Sequence, residues 1–270
     1  MDNTGFDILI MAFEQVDVIL LIFVRVFGFF MLVPVISGQN IFISARIFLA
    51  LTMSIALFMS GAVTMVHVLD STLGYVYLLL IEFLVGMTIA YAAFAVFNLI
   101  FFAGQLIDFQ IGLAMVNVLD PMTQIQVPIV GNLFYFALLA VTVVTGGLHA
   151  MFATFFYSFG VLPVGTGQIL GNPEITYYIL FLLVESTILG VRLAMPIIGV
   201  MLVVDAALGI MVKTVPQMNI FVVGMPLKVL VGLILLYLVL VPSLGVMHAS
   251  IFDMAINAMR EVIWGLRGTT

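Results

Sequence analysis

The stretch LGYVYLLLIEFLVGMTIAYAAFAVFNLIFFAG, Leu73 to Gly104, carries a single charged residue, Glu82. About 20 mostly apolar residues are enough to cross a bilayer as a helix, so this run is long enough to span and too long for one simple span. Working outward, polar residues and Gly/Pro punctuation delimit five more apolar runs, at about Val16–Ile36, Phe42–Val66, Ile129–Tyr157, Tyr177–Val212 and Ile220–Met247. The fifth is also too long, and it contains Glu185, Arg192, Pro196 and Asp205. Proline removes a backbone donor and bends a helix, and membrane proteins tolerate this where neighbouring protein satisfies the freed groups. The expectation is six candidate spans, the fifth a broken helix or hairpin packed among partner subunits.

Composition points the same way. Of 270 residues, 65% are hydrophobic and 7% charged, against roughly a quarter charged in a soluble domain. Seven basic and 13 acidic side chains cannot coat a particle of this size. The missing polar surface must be replaced by lipid or other subunits, which makes the fold class an all-α integral membrane protein with helical hairpins and broken helices. A net charge of −6 without clustered Lys or Arg excludes nucleic acid as a partner. The absence of cysteine excludes disulfides, Cys-ligated metals and thiol catalysis.

No HExxH, Gly-x-Ser-x-Gly or P-loop pattern occurs, and His67, His149 and His248 lack metal-ligand partners at helical spacing. No enzyme, metal site or cofactor is expected. Gly165 to Gly171 superficially suggests a nucleotide loop, but its spacing is wrong and no strand precedes it, so it reads as a turn between helices. With no fixed-period repeat and no Ser/Gly linker, residues 1–270 read as one membrane-embedded unit.

The chain opens Met1-Asp2-Asn3 and its first basic residue is Arg25, so no positive n-region precedes the first apolar run, and that run is expected to be retained. Charge bias assigns Arg46, Lys213 and Lys228 to inner loops, yet six spans then leave Arg260 and Arg267 outside. Either the span count is not six or the chain is not a bundle threaded conventionally through a bilayer. From His248 to Leu266, Ile251, Met254, Ala255, Ala258, Val262, Ile263 and Leu266 recur at helical spacing opposite Asp253, Asn257, Arg260 and Glu261. An interfacial helix with Trp264 at headgroup level is the first expectation for it, docking on a partner subunit the second.

The segment GQLIDFQIGLAMVNVLDPMTQIQVP, Gly104 to Pro128, fits neither a span nor a plain loop. It is apolar enough for burial, yet it carries Asp108, Asn117, Asp120 and four Gln side chains, with helix stops at Pro121 and Pro128. Irregular backbone at membrane depth occurs only where protein encloses it or where it lines a water-filled cavity. A re-entrant, pore-blocking loop is one reading and an ordinary surface loop the other; the Ile, Leu, Val and Met content favours burial.

Within that segment, Gln110-Ile111-Gly112-Leu113-Ala114-Met115, then Asp120-Pro121, then Gln126-Val127-Pro128 resemble the central signature of the FliR family of type III export-gate proteins. Val215 to Lys228, with Pro216, Gln217, Asn219, Phe221, Gly224, Pro226 and Lys228, resembles a second family stretch of the flagellar branch. The corner Gly146-Gly147-Leu148-His149 resembles a third.

The resemblance implies a non-enzymatic subunit, one copy of which assembles with FliP and FliQ into a closed helical channel, near FlhB and FlhA, in the bacterial inner membrane at the flagellar basal body. It implies a fold in which a FliP-like part (about 1–210) is fused to a FliQ-like hairpin and amphipathic tail (about 211–270). Exported flagellar proteins would pass through the channel. The loop matching Ile111, Gly112, Leu113, Met115, Asn117, Asp120, Pro121, Met122, Gln124, Gln126 and Pro128 would plug it, with Gly112 and Pro121 setting its bends. Apolar side chains can seal against ions, and polar ones can hold the seal through bonds that break on opening. Met115, Met122, Met218 and Met225 are candidates for a deformable contact, though core packing is the plainer reading of any one of them.

Arg25, Glu82, Glu185, Arg192 and Asp205 lie inside apolar runs, where each unpaired charge costs roughly 2.5–3.5 kcal/mol on insertion scales. Each needs a partner or water, and inter-subunit salt bridges are the preferred expectation. Glu185 and Arg192 fall on one helix face, too far apart for a direct intrahelical pair. The competing function is a polytopic secondary transporter with an intramembrane charge relay, for which two matching halves would be needed, and the sequence shows no internal symmetry. Small-xxx-small pairs, Gly86 with Ala90 and Gly146 with Ala150, read as helix-packing contacts.

Overall fold

The computed structural model describes residues 4–38, 41–61, 63, 71–113, 128–167, 169, 172–214 and 220–267. Every regular element among them is an α-helix: α1 Thr4–Leu32, α2 Ile43–Met59, α3 Thr72–Ile111, α4 Ile129–Val144, α5 Gly147–Val161, α6 Pro173–Thr214 and α7 Ile220–Leu266.

Local chemistry sets most of these boundaries. Ser71 caps α3, its hydroxyl accepting from the Gly74 N–H at 3.4 Å. The helix stops where Gly112 takes φ +93°, its N–H bonded to the Asp108 carbonyl at 3.1 Å. α5 ends before Leu162, held extended by the following Pro163. α6 begins at Pro173, behind an Asn172 side chain that accepts from the Glu174 N–H at 3.0 Å, with Glu174 in its first turn and Lys213 in its last. That is the arrangement the helix dipole favours.

Pro196 does not break α6, contrary to the expectation for the fifth run; the helix continues through it to Thr214. One missing N–H costs about 3 kcal/mol locally, and the many hydrogen bonds on either side hold the axis together. The interruption falls instead in the fourth run, at Thr145–Gly146, where Gly146 adopts φ +77° as the N-cap of α5. A Cβ at Gly146 would touch nothing within 4 Å, so Gly146 is a turn residue and its expected packing role with Ala150 does not apply.

Among the described residues three helices are long and apolar enough to cross a membrane: α3, α6 and, within α7, Val222–Val239. Counting α4 and α5 as one interrupted span gives four, against the six apolar runs. α2 has 17 residues and is short of a span. α1 begins at Thr4, well before the apolar run at Val16, because backbone hydrogen bonding continues through Asp7 and Glu14 where hydropathy does not. At 1.5 Å per residue, the 40 residues of α3, 42 of α6 and 47 of α7 make helices of about 60, 63 and 70 Å. A hydrocarbon core is about 30 Å thick.

Contacts divide the chain into two compact units. The first draws on the chain up to Phe94, Gly146–Leu182 and the end from Met254. In it α1 and α3 meet at backbone distance: a Cβ on Gly28 would strike the Phe83 carbonyl oxygen, and one on Gly86 the Arg25 carbonyl oxygen. Phe29 stacks on Phe155 with ring centroids 4.0 Å apart, and Phe30, Phe152 and Phe159 close the cluster. The amphipathic tail belongs to this core. It continues α7 without a break, with Ala255, Met259, Val262, Ile263 and Leu266 buried and Asn257, Arg260, Glu261 and Trp264 exposed. The Asn172 amide donates to the Gly265 carbonyl at 3.1 Å. The chain itself covers the apolar face, so neither an interfacial helix nor a partner-docking face describes the tail.

The second unit comprises Ala95–Thr145 and Leu183–Asp253. Gly190 of α6 lies against α3, where a Cβ would stand 2.9 Å from the Leu99 carbonyl oxygen. Burial is uneven along the helices: the most apolar window of α3 is 56% buried, those of α6 and of Val222–Val239 only 17%. The exposed positions include Val184, Val203, Leu230 and Tyr237.

Candidate functional site: the two feet of the central loop

The segment that linked composition to function enters from α3 and leaves into α4, and both feet lie in the second unit. Gly104 sits directly on Gly131, where a Cβ would collide with the Gly131 Cα. This lets the last turns of α3 reach the first turn of α4. Asp108, 3% exposed, projects from α3 onto the open N-terminus of α4, and its two carboxylate oxygens accept from the Val130 N–H at 3.1 and 3.0 Å. A longer contact of 3.5 Å reaches the Gly131 N–H. The first N–H groups of a helix have no partner within it, and the N-cap residue Pro128 has no side chain able to accept. A carboxylate from the preceding helix fills that place and favours the positive end of the dipole.

Two residues further on, the Gln110 amide donates to Asp205 Oδ2 of α6 at 3.1 Å, and Lys228 Nζ of α7 pairs with Asp205 Oδ1 at 2.7 Å. Gln110 begins the first family-like motif and Lys228 ends the second, so the two motifs, far apart in sequence, meet on one carboxylate. Next to them Ile111 is fully buried against Gly232 of α7, where a Cβ would come within 2.6 Å of the Ile111 side chain. Both partners of the Asp205–Lys228 pair keep some exposure, 38% and 21%, so solvent screening limits what the pair contributes. Lys228→Met should cost about 1 kcal/mol or less, and less still at high salt, in thermal unfolding in detergent. A loss of about 3 kcal/mol or more would contradict this.

Of the other predicted loop residues, Gly112 holds the left-handed turn, Leu113 is half-buried and Pro128 caps α4. Met115, Asn117, Asp120, Pro121, Met122, Gln124 and Gln126 lie outside the described residues, as do Pro216, Gln217, Met218 and Asn219. Phe221, Gly224, Met225 and Pro226 belong to the first turns of α7, with Gly224 buried and Pro226 exposed.

The isolated charges separate into two kinds. Arg25 and Glu82 are fully buried and bonded to each other through Arg25 Nε and Glu82 Oε2. Arg25 Nη1 donates to the Leu162 carbonyl at 3.0 Å, and Glu82 Oε1 accepts from the Gly165 N–H at 2.7 Å. The guanidinium lies 4.6 Å from the centroid of the Phe159 ring, whose face attracts a cation. This pair is internal, with both side chains fully buried and only Arg25 Nη2 left without a hydrogen-bond partner, so the expected inter-subunit salt bridge does not apply to it. It ties α1 and α3 to the turn after α5, the Gly165 segment read from sequence as a turn. Sequence reasoning missed the pairing although a signal was present: each charge precedes, by about one helical turn, one of the two glycines, Gly28 and Gly86, at which the helices touch. Glu185 and Arg192 are exposed on α6, and no described residue pairs with either.

The chain matches the family model described as bacterial export proteins, family 1, over residues 16–254. It is 30% identical over 245 residues to the flagellar biosynthetic protein FliR of Bacillus subtilis (strain 168), spanning 90% of this chain and 93% of that protein. To the protein of that name from Aquifex aeolicus (strain VF5) it is 31% identical over 232 residues, 83% of this chain and 86% of the relative. To that of Escherichia coli (strain K12) it is 24% identical over 242 residues, 88% and 90% of the two chains.

Proposed function

Because the chain belongs to family 1 of the bacterial export proteins, together with the flagellar biosynthetic proteins FliR, we propose that it is a non-enzymatic core subunit of the flagellar type III export gate. In this reading one copy assembles with FliP and FliQ, adjacent to FlhB and FlhA, in the bacterial inner membrane at the flagellar basal body. The residues to about 210 form a FliP-like part and the remainder a FliQ-like hairpin. The loop between Ile111 and Pro128 plugs the channel until exported flagellar proteins pass.

One observation carries the reading. α6 buries only 17% of its most apolar window within the chain, and its exposed apolar side chains run from Tyr177 to Met211, about 50 Å of helix against a hydrocarbon core of about 30 Å. Lipid can cover only part of that length, and the rest of the apolar surface calls for other protein. Exposed Glu185 and Arg192, two turns apart on such a surface, suit a neighbouring helix with the opposite charges. A secondary transporter with a charge relay is less well supported, because Arg25 and Glu82 are closed on each other and Asp205 is bound to Lys228.

Co-expression with FliP and FliQ, purification through a tag on this chain alone and native mass spectrometry provide the test. A defined hetero-oligomer with one copy of this chain is expected; a stable lone chain or homodimer would defeat the proposal. In the same preparation Glu185→Lys should cut the assembled fraction by about tenfold, the effect of placing like charges together in a desolvated contact.

A further inference from the structure

We propose that Asp108 is a positioning residue that fixes the base of the central loop, binding the end of α3 to the start of α4 so that opening of the loop leaves its two feet together. The inference rests on the plug reading above.

An N-cap is ordinarily local: the residue just before the helix turns its own side chain back onto the first N–H groups. Here the position before α4 is Pro128, which has no acceptor side chain, and the carboxylate comes from 22 residues earlier in the chain, on another helix. A local cap would stabilise α4 equally well and tie it to nothing. The remote cap does both, and Gly104 resting on Gly131 closes the same junction from the side, admitting no side chain between the helices. The burial of Asp108 keeps water from competing for the N–H groups. Ile111 against Gly232 and Gln110 on Asp205 then fix the last turn of α3 against α7 and α6. The end of α3 as far as Ile111 is thus held in place from three helices.

The experiment compares four forms of the chain in the co-purified complex: unaltered, Asp108→Ala, Asp108→Asn, and the double variant Asp108→Ala/Pro128→Asp. A fifth, with residues 114–127 replaced by a short Gly/Ser linker, tests the plug reading itself. The readout is potassium chloride conductance in a planar lipid bilayer, with native mass spectrometry reporting assembly. Asp108→Ala should raise the leak about tenfold, the shift in the closed-to-open ratio expected from losing a charged cap. Asp108→Asn, a residue equally able to cap, should remain tight. The double variant restores a cap to α4 from its own N-cap position without the tie to α3, so it should assemble and still leak.

A tight double variant, or a tight Asp108→Ala complex beside a leaking loop replacement, would overturn the role of Asp108 and leave the plug reading standing. A tight loop replacement would remove the plug reading and this inference together. If Asp108→Ala does not assemble, the double variant decides alone.

Discussion

Glu82→Ala is expected to cost about 3–5 kcal/mol, because it leaves the Arg25 guanidinium buried without its counter-charge. The substitution also removes the acceptor for the Gly165 N–H, freeing the turn that follows α5. Thermal unfolding of the co-purified complex at fixed composition measures the loss. Replacing both partners with apolar residues, Arg25→Met/Glu82→Leu, should recover most of it, since no charge then remains to be solvated. The hydrogen bond from Arg25 to the Leu162 carbonyl would still be lost, so recovery will be incomplete. A Glu82→Ala complex as stable as the parent would mean that water or another charge reaches Arg25.

The second large effect should come from Gly86→Ala. Adding one methyl group to a helix interior ordinarily stabilises it, by about 0.5–1 kcal/mol. At Gly86 that methyl would meet the Arg25 carbonyl oxygen, a backbone atom that no rotamer change can move. α1 and α3 would have to separate, and a loss of about 3 kcal/mol is expected, the upper end for an overpacked core. Separation would also pull Arg25 away from Glu82. Gly199→Ala in α6 is the natural control, since a Cβ there meets nothing within 4 Å, and it should be neutral or slightly stabilising. Equal behaviour of the two variants in the same unfolding assay would refute the close approach of α1 and α3.

Features that depend on one residue and its chain neighbours were readable from sequence. Pro128 marks a helix limit and Gly112 a bend, because each imposes its own backbone angles whatever packs nearby, whereas Gly146, read as a packing contact, is a left-handed turn that interrupts the fourth run. The excess length of the third and fifth apolar runs was equally plain, and α3 and α6 do run to 40 and 42 residues. Pro196 misled because a single lost hydrogen bond weakens a long helix without ending it. The tail misled for a different reason: periodicity reports that a helix has an apolar face, and gives no sign of what covers it.

Pairings between distant residues were not readable. Arg25 and Glu82, 57 positions apart, were recognised only as charges in need of partners, and Asp108 only as a polar residue in an apolar loop. Hydropathy does not indicate that α1 crosses α3 at two glycines, or that the N-terminus of α4 abuts the side of α3. Those facts follow from tertiary packing, which selects one of many charge pairings compatible with the same pattern. The family-like motifs come nearer, since Gln110 belongs to one and Lys228 to the other, and the structure joins them through Asp205.

The apolar length of α6 bears on what a melting temperature for this chain can mean. A hydrophobic stretch longer than the hydrocarbon core is thick strains the surrounding lipid by a fraction of a kcal/mol for every ångström of mismatch, and the exposed apolar side chains of α6 extend over about 50 Å, from Tyr177 to Met211. A protein whose helices are relieved of such strain only by their neighbours resembles an obligate oligomer, whose folded state has no existence independent of concentration. On the proposed assembly, two samples of identical sequence and buffer that differ only in how much of the surrounding complex accompanies the chain are expected to unfold at different temperatures.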